Sequence, residues 1–98
     1  MFRLSLLAIL CATSAQAAPV KTDYQIDGAD PGVRLFVREK MEAGTTRFTD
    51  HNIVLFVHGA TAPSVCDFDL AFKDYSWADW MIGKGYVTYL FDKRNYGL

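Results

Sequence analysis

His58 is the first residue whose neighbours are of the types that do chemistry. Ser64 and Asp67 follow it closely, so a hydroxyl, an imidazole and a carboxylate occur together as in a nucleophilic triad. Triad members are normally held by separate rigid elements, whereas these three would share one short loop. The spacing therefore argues against a triad of His58, Ser64 and Asp67.

A metal site is the other chemistry that this stretch could carry. Ligand types are available from His51, His58, Cys66 and Asp67. His51 and His58 are seven positions apart, so along one strand their side chains would face opposite sides, and no group has zinc-finger spacing. We predict no metal and no cofactor.

Two apolar runs would position these residues. Ile53–Val57 is apolar throughout and leads into His58, and Tyr86–Phe91 is a second such run that ends at Asp92. A run of this kind indicates a strand buried on both faces, inside a sheet covered by helices. The ends of such strands are where open α/β sheets place their sites.

A helix is expected between these runs. Ser76 is a good N-cap, with Asp79 three residues on in a capping-box pattern. Trp77 and Trp80 then lie on one helical face, which predicts core packing. The preceding residues 60–75 are expected to form an irregular loop.

Two earlier segments complete the fold prediction. Val20–Ile26 could form a short edge strand, and the alternation in Val33–Lys40 predicts a half-exposed antiparallel strand. The order of elements predicts an α/β fold, with two antiparallel margin strands beside one right-handed βαβ unit.

Residues 1–17 have the pattern of a signal peptide. Arg3 supplies a positive charge, Leu4–Ala12 is apolar, and residues 15–17 give the Ala-x-Ala pattern of a cleavage site. The apolar block is shorter than the roughly 20 residues that a membrane-spanning helix needs. We predict that residues 18–98 are exported, periplasmic or secreted, with no stable membrane anchor after cleavage.

Charge and cysteine content narrow the class of partner. Without Arg3, the chain has nine Lys and Arg against eleven Asp and Glu, and it has no basic cluster that would favour binding to nucleic acid.

Cys66 is the one cysteine beyond the leader. It is a buried thiol, a free thiol, or half of a disulfide whose partner is absent from this chain.

Residues 18–98 resemble the N-terminal part of an α/β-hydrolase domain over nearly their whole length, most firmly from Ile53 to Leu98. One motif is the apolar strand that ends in His-Gly-Ala at residues 58–60. The other is D-K-R-N-Y-G at residues 92–97, which is similar to the family's D-x-R-G-x-G-x-S. Asn95 stands where the family has glycine, and Asn tolerates positive φ better than most residues. The resemblance implies an N-terminal, incomplete part of an α/β-hydrolase sheet.

The resemblance also implies one half of an oxyanion hole. In this family the loop after the third strand donates one backbone N–H, and the residue after the nucleophile donates the other. The first donor here is Ala60, with Thr61 as its alternative, and Gly59 leaves room for a substrate carbonyl. His58 is expected to shape this loop and not to act as the general base.

Three residues of the second motif are expected to support the site: Asp92, Arg94 and Gly97. Asp92 and Arg94 could pair and fix the loop at the end of their strand, and the alternative is that both are solvated turn charges.

The implied activity is that of a serine hydrolase acting on ester or related acyl bonds of a small molecule. The G-x-S-x-G pattern is absent, since the serines beyond the leader are Ser64 and Ser76. We therefore expect a fragment, inactive alone because it lacks nucleophile, acid and base. The alternative is a small exported binding or interaction protein without catalysis.

The family's sheet order also predicts a weakness. There the third strand lies between the fourth and a fifth, so here Ile53–Val57 would form an exposed apolar edge, which promotes association. Since about 80 residues bury only a modest core, we expect a poorly stable or aggregating product.

Overall fold

The computed structural model describes residues 18–96. It contains strands β1 (Val20–Asp27), β2 (Arg34–Met41), β3 (Ile53–Val57) and β4 (Val87–Phe91), and helices α1 (Ser64–Phe68) and α2 (Trp77–Gly83). The predicted signal peptide and Gly97 lie outside the described residues.

The four strands form one mixed sheet in the order β1-β2-β4-β3. β1 pairs antiparallel with β2, and β2 pairs antiparallel with β4. β3 pairs parallel with β4, with Leu55 beside Tyr89. The parallel pair sends the chain after β3 and after β4 to the same end of the sheet.

The prediction of an α/β fold with an incomplete α/β-hydrolase sheet is wrong. The described chain is a small β-rich domain, 15% helical and 33% strand. Its helices span only five and seven residues. Helices this short cannot cover two faces of a four-stranded sheet, so the layered α/β arrangement does not arise.

Both helices pack on one face of the sheet. The core is a cluster of Phe36, Phe56, Ala78 and Leu90, one residue each from β2, β3, α2 and β4. Val65 and Phe68 of α1 pack against the same cluster. Neighbouring side chains alternate across a strand, so the residues between these core positions belong to the other face.

That other face is exposed at β3. Ile53, Leu55 and Val57 are 40%, 59% and 53% exposed. The expectation that β3 is buried on both faces is therefore wrong, because neither described helix packs there. β3 is also an outer strand of the sheet, so it presents both a free hydrogen-bonding edge and an exposed apolar face.

Helix α2 begins as its sequence predicts. The Ser76 hydroxyl accepts a hydrogen bond from the Asp79 N–H at 3.1 Å, which satisfies one of the free donors of the first turn. Burial within the helix differs from the prediction. Ala78 and Ile82 are buried, whereas Trp77 and Trp80 are more than half exposed.

Candidate functional site

The loops that follow β3 and β4 meet at one end of the sheet. His58 directly follows β3 and is 1% exposed, and Asp92 directly follows β4 and is 2% exposed. Buried polar groups of this kind need hydrogen-bond partners. Their partners define how the two loops are joined.

Both ring nitrogens of His58 are occupied. Nε2 accepts a hydrogen bond from the Lys93 N–H at 2.9 Å, and Nδ1 lies 2.6 Å from the Gly59 carbonyl oxygen. A backbone N–H can only donate and a carbonyl can only accept, so the ring is neutral with its proton on Nδ1. Neither nitrogen is left to take a proton from a nucleophile.

Asp92 joins the β4 loop to the start of α1. Its Oδ1 accepts hydrogen bonds from the Ser64 backbone N–H at 2.8 Å and from the Ser64 hydroxyl at 2.7 Å. Ser64 is fully buried, and its hydroxyl proton is directed to Asp92 and not to His58. These residues are neighbours, but they do not form a nucleophile and base pair.

Arg94 has a different partner from the one expected. Its guanidinium forms an ion pair with Asp30, in the turn between β1 and β2. The expected pair of Asp92 and Arg94 is not found among residues 18–96, where Asp92 contacts Ser64. Both members of the Arg94 pair are more than half exposed, so this contact contributes little to stability.

Asn95, which stands where the α/β-hydrolase motif has glycine, adopts a left-handed conformation. Its φ is +71°, a region that most side chains avoid and that asparagine tolerates. This turn brings Tyr96 back over the loop that follows β3. The Tyr96 ring lies 4.7 Å from the His58 ring, centroid to centroid, and its hydroxyl donates to the Ala60 carbonyl oxygen.

The Ala60 N–H is held in a defined direction. His58 fixes the Gly59 carbonyl, and in a trans peptide the N–H of the next residue points the opposite way. The Ala60 N–H is therefore directed away from the His58 ring, and within residues 18–96 it donates to no partner. Gly59 and Ala60 are both exposed, so a ligand could reach this N–H.

Gly59 is not required by the fold of the described residues. A Cβ placed there would meet no atom within 4 Å, and its φ is not in the left-handed region. The glycine leaves open space beside the Ala60 N–H. An approaching ligand would use that space.

A second polar cluster lies under α2 and was not predicted. The Asp69 carboxylate accepts hydrogen bonds from Arg38 Nη1 and Lys40 Nζ, both at 2.9 Å, and from the Ser76 hydroxyl at 2.7 Å. Lys40 also pairs with Asp79 at 2.5 Å. The partners of Asp69 come from β2 and from the α2 N-cap, so the cluster ties the sheet to the helix layer.

The pKa values in this cluster follow from its pairing. Burial alone would raise the pKa of Asp69, but hydrogen bonds from Lys40, Ser76 and Arg38 hold it below 3.8. Burial would lower the pKa of Lys40, but its two carboxylate partners raise it above 10.5. Both groups therefore stay charged at neutral pH, which suits a structural role.

A cavity of about 470 Å³ lies beside this cluster and is lined in part by Cys66 and Lys73. Cys66 is a free, exposed thiol, so of the three alternatives for this cysteine the buried thiol is not the one found. Among residues 18–96, no three His, Cys, Asp or Glu side chains are grouped so that they could hold a metal ion.

No helix of the described part of the chain is long and apolar enough to cross a membrane. Comparison of the chain with protein-family models, with curated proteins and with solved structures gives no match.

Sequence reasoning missed Ser64, Asp69 and Tyr96 as organising residues. Asp92 lies 28 positions from Ser64, and the β2 partners of Asp69, Lys40 and Arg38, lie 29 and 31 positions from it. Tyr96 donates to a carbonyl 36 positions away. No spacing signal marks such pairs, because they depend on which strands become neighbours.

Proposed function

We propose that this chain supplies the oxyanion-binding loop of a serine hydrolase that acts on ester or related acyl bonds. The observation that carries the proposal is the Ala60 N–H, which is exposed, unpaired within residues 18–96 and oriented through His58. A donor that is already oriented stabilises the charge that develops on a carbonyl oxygen during acyl transfer. The substrate would be a small acyl compound in the periplasm or outside the cell.

The described residues offer no serine nucleophile for this reaction. The Ser64 hydroxyl is buried against Asp92, and the Ser76 hydroxyl donates to Asp69 while it caps α2. His58 has no free ring nitrogen. We therefore propose that the 98-residue chain alone is inactive, and that nucleophile, acid and base come from elsewhere in a longer protein.

The reading frame beyond the codon for Leu98 tests the proposal first. A downstream G-x-S-x-G followed by an acid and a histidine supports it, and a stop codon without them contradicts it. The longer product would then be assayed with p-nitrophenyl acetate, against the 98-residue chain as the inactive reference.

A matched pair of variants tests the loop in that longer protein. Gly59→Leu would fill the open space beside the Ala60 N–H, and Gly83→Leu fills an equally open position on α2. We expect Gly59→Leu to lower kcat/KM about 100-fold, the scale of losing one oxyanion donor, and Gly83→Leu to change it less than about twofold. Equal effects of the two variants would contradict the proposal.

A second candidate function is favoured by β3. Its exposed apolar edge and face would suit a small non-catalytic interaction protein, in which a partner or a second copy covers the strand. Size-exclusion chromatography separates the two candidates. A stable oligomer of defined size favours the interaction protein, whereas a monomer that converts to aggregate favours the hydrolase fragment.

A further inference from the structure

Tyr96 holds a second carbonyl of the loop after β3. Its hydroxyl donates to the Ala60 oxygen, while the neighbouring His58 ring donates to the Gly59 oxygen. The two rings contact each other edge to face, at 4.7 Å and 60°. The Gly59 and Ala60 carbonyls are thus held by the His58 and Tyr96 side chains, whose rings pack against each other.

The direction of two N–H groups follows from this arrangement. Each carbonyl shares its peptide plane with the next N–H, which points the opposite way because no peptide in the described chain is cis. Fixing the Gly59 oxygen orients the Ala60 N–H, and fixing the Ala60 oxygen orients the Thr61 N–H. The Ala60 N–H is therefore directed away from the His58 ring, and the Thr61 N–H is directed away from the Tyr96 hydroxyl.

The two N–H groups are available to a ligand. Neither the Ala60 nor the Thr61 N–H donates to any group within residues 18–96, and both residues are exposed. Gly59 has open space next to them. Exposed backbone N–H groups that have no protein partner are free to donate to an anion.

We propose that the Thr61 N–H is a second anion donor beside that of Ala60, and that Tyr96 is its positioning residue. The ligand is the carboxylate or tetrahedral oxyanion of an acyl compound. This inference rests on the proposed function, since it adds a donor to the same loop. It assigns Tyr96 an indirect role, because its hydroxyl contacts the Ala60 carbonyl and not the ligand.

The experiment uses the ¹⁵N-labelled 98-residue chain and acetate as the anion. Amide shifts of Ala60 and Thr61 are followed during a sodium acetate titration against sodium chloride at constant ionic strength. If the wild type associates at this concentration, the titration is run in a Leu55→Lys background, which changes the exposed face of β3. We expect both amides to shift with one shared Kd.

Tyr96→Phe then tests the positioning role. Loss of the hydroxyl should raise the acetate Kd that the two amides share about three- to tenfold, the scale of one hydrogen bond. The control is Tyr75→Phe, which removes the hydroxyl of an exposed tyrosine outside the loop and should change neither amide. Well-dispersed spectra of both variants exclude unfolding as the cause.

The outcomes separate this inference from the proposed function. A response at Ala60 alone overturns the second donor and leaves the proposed function in place. A response at both amides that survives Tyr96→Phe overturns the role of Tyr96. No response at either amide overturns the inference and also removes the support for an oxyanion-binding loop.

Discussion

Replacement of Asp69 by Asn should destabilise the fold strongly. The Asp69 carboxylate is 6% exposed and joins Arg38 and Lys40, whose side chains are each 11% exposed. Asn has nearly the same shape but no charge. Asp69→Asn therefore leaves two buried cations without the anion between them, while the packing around the site changes little.

The structure bounds the size of this effect. Removing one partner of a buried ion pair costs about 3–5 kcal/mol. Here Arg38 keeps Asp23 and Lys40 keeps Asp79, but these carboxylates are 39% and 45% exposed and compensate only in part. We expect a loss of about 2–4 kcal/mol, which is a large share of the roughly 5–15 kcal/mol that stabilises a typical domain.

The pH dependence has a definite sign. The pKa of Asp69 in the folded chain is held below 3.8, despite burial, by hydrogen bonds from Lys40, Ser76 and Arg38. A carboxyl whose pKa is lower in the folded state stabilises the fold fully above its unfolded pKa. This contribution is lost as the pH falls below 3.8 and through the folded pKa.

The assay is urea unfolding followed by tryptophan fluorescence at pH 7 and at pH 3. Asp74→Asn is the matched control, because Asp74 is exposed and no ion pair to it is found within residues 18–96. The wild type should lose more stability between the two pH values than Asp69→Asn does. A loss below about 0.5 kcal/mol at pH 7 for Asp69→Asn, within the range of ordinary surface substitutions, would refute the reasoning.

Three further predictions concern the free strand, the glycines and Tyr89. Leu55→Lys puts a charge on the exposed face of β3 and should reduce self-association of the chain, measured by light scattering. Leu70→Lys, a change at another exposed leucine, should leave self-association unchanged. Equal effects of the two variants would contradict a role for β3. Gly59→Ala should leave the urea midpoint unchanged, whereas Gly28→Ala should cost about 1 kcal/mol or more, since its Cβ would lie 3.0 Å from Val33 Cγ1. A hydrogen bond to the Glu39 carboxylate, together with burial, raises the pKa of Tyr89 to about 12. Absorbance at 295 nm should therefore show one tyrosine that ionises near that pH, and Glu39→Gln should lower its pKa because the charged acceptor is removed. Because that pKa is raised in the folded state, the stabilisation is present below pH 10 and is lost as the pH rises towards 12.

The local signals of the sequence predicted several elements well. β3 spans the predicted Ile53–Val57, and Ser76 caps α2 through the Asp79 N–H. Asn95 adopts a positive φ, which its residue type tolerates. Each of these features depends on a few adjacent residues. An N-cap or a left-handed turn is decided by side-chain chemistry within one turn of chain, so it can be recognised without the rest of the fold.

The larger architecture was not predictable in the same way. The short helix α1 lies in the stretch expected to be an irregular loop, and the two tryptophans of α2 are exposed although they share a helical face. The α/β prediction failed because apolar composition indicates that a strand can be buried but does not specify what covers it. Only one face of this sheet carries helices.

The candidate site shows the same division between sequence and tertiary structure. The sequence by itself determined that a His-Gly-Ala turn follows an apolar strand, and that an Asp begins the turn after a second one. Only the tertiary structure decided that His58 binds the Lys93 N–H, that Asp92 binds Ser64, and that Tyr96 holds the Ala60 carbonyl. The physical reason is the parallel pairing of β3 with β4, which brings loops from distant parts of the chain to one end of the sheet.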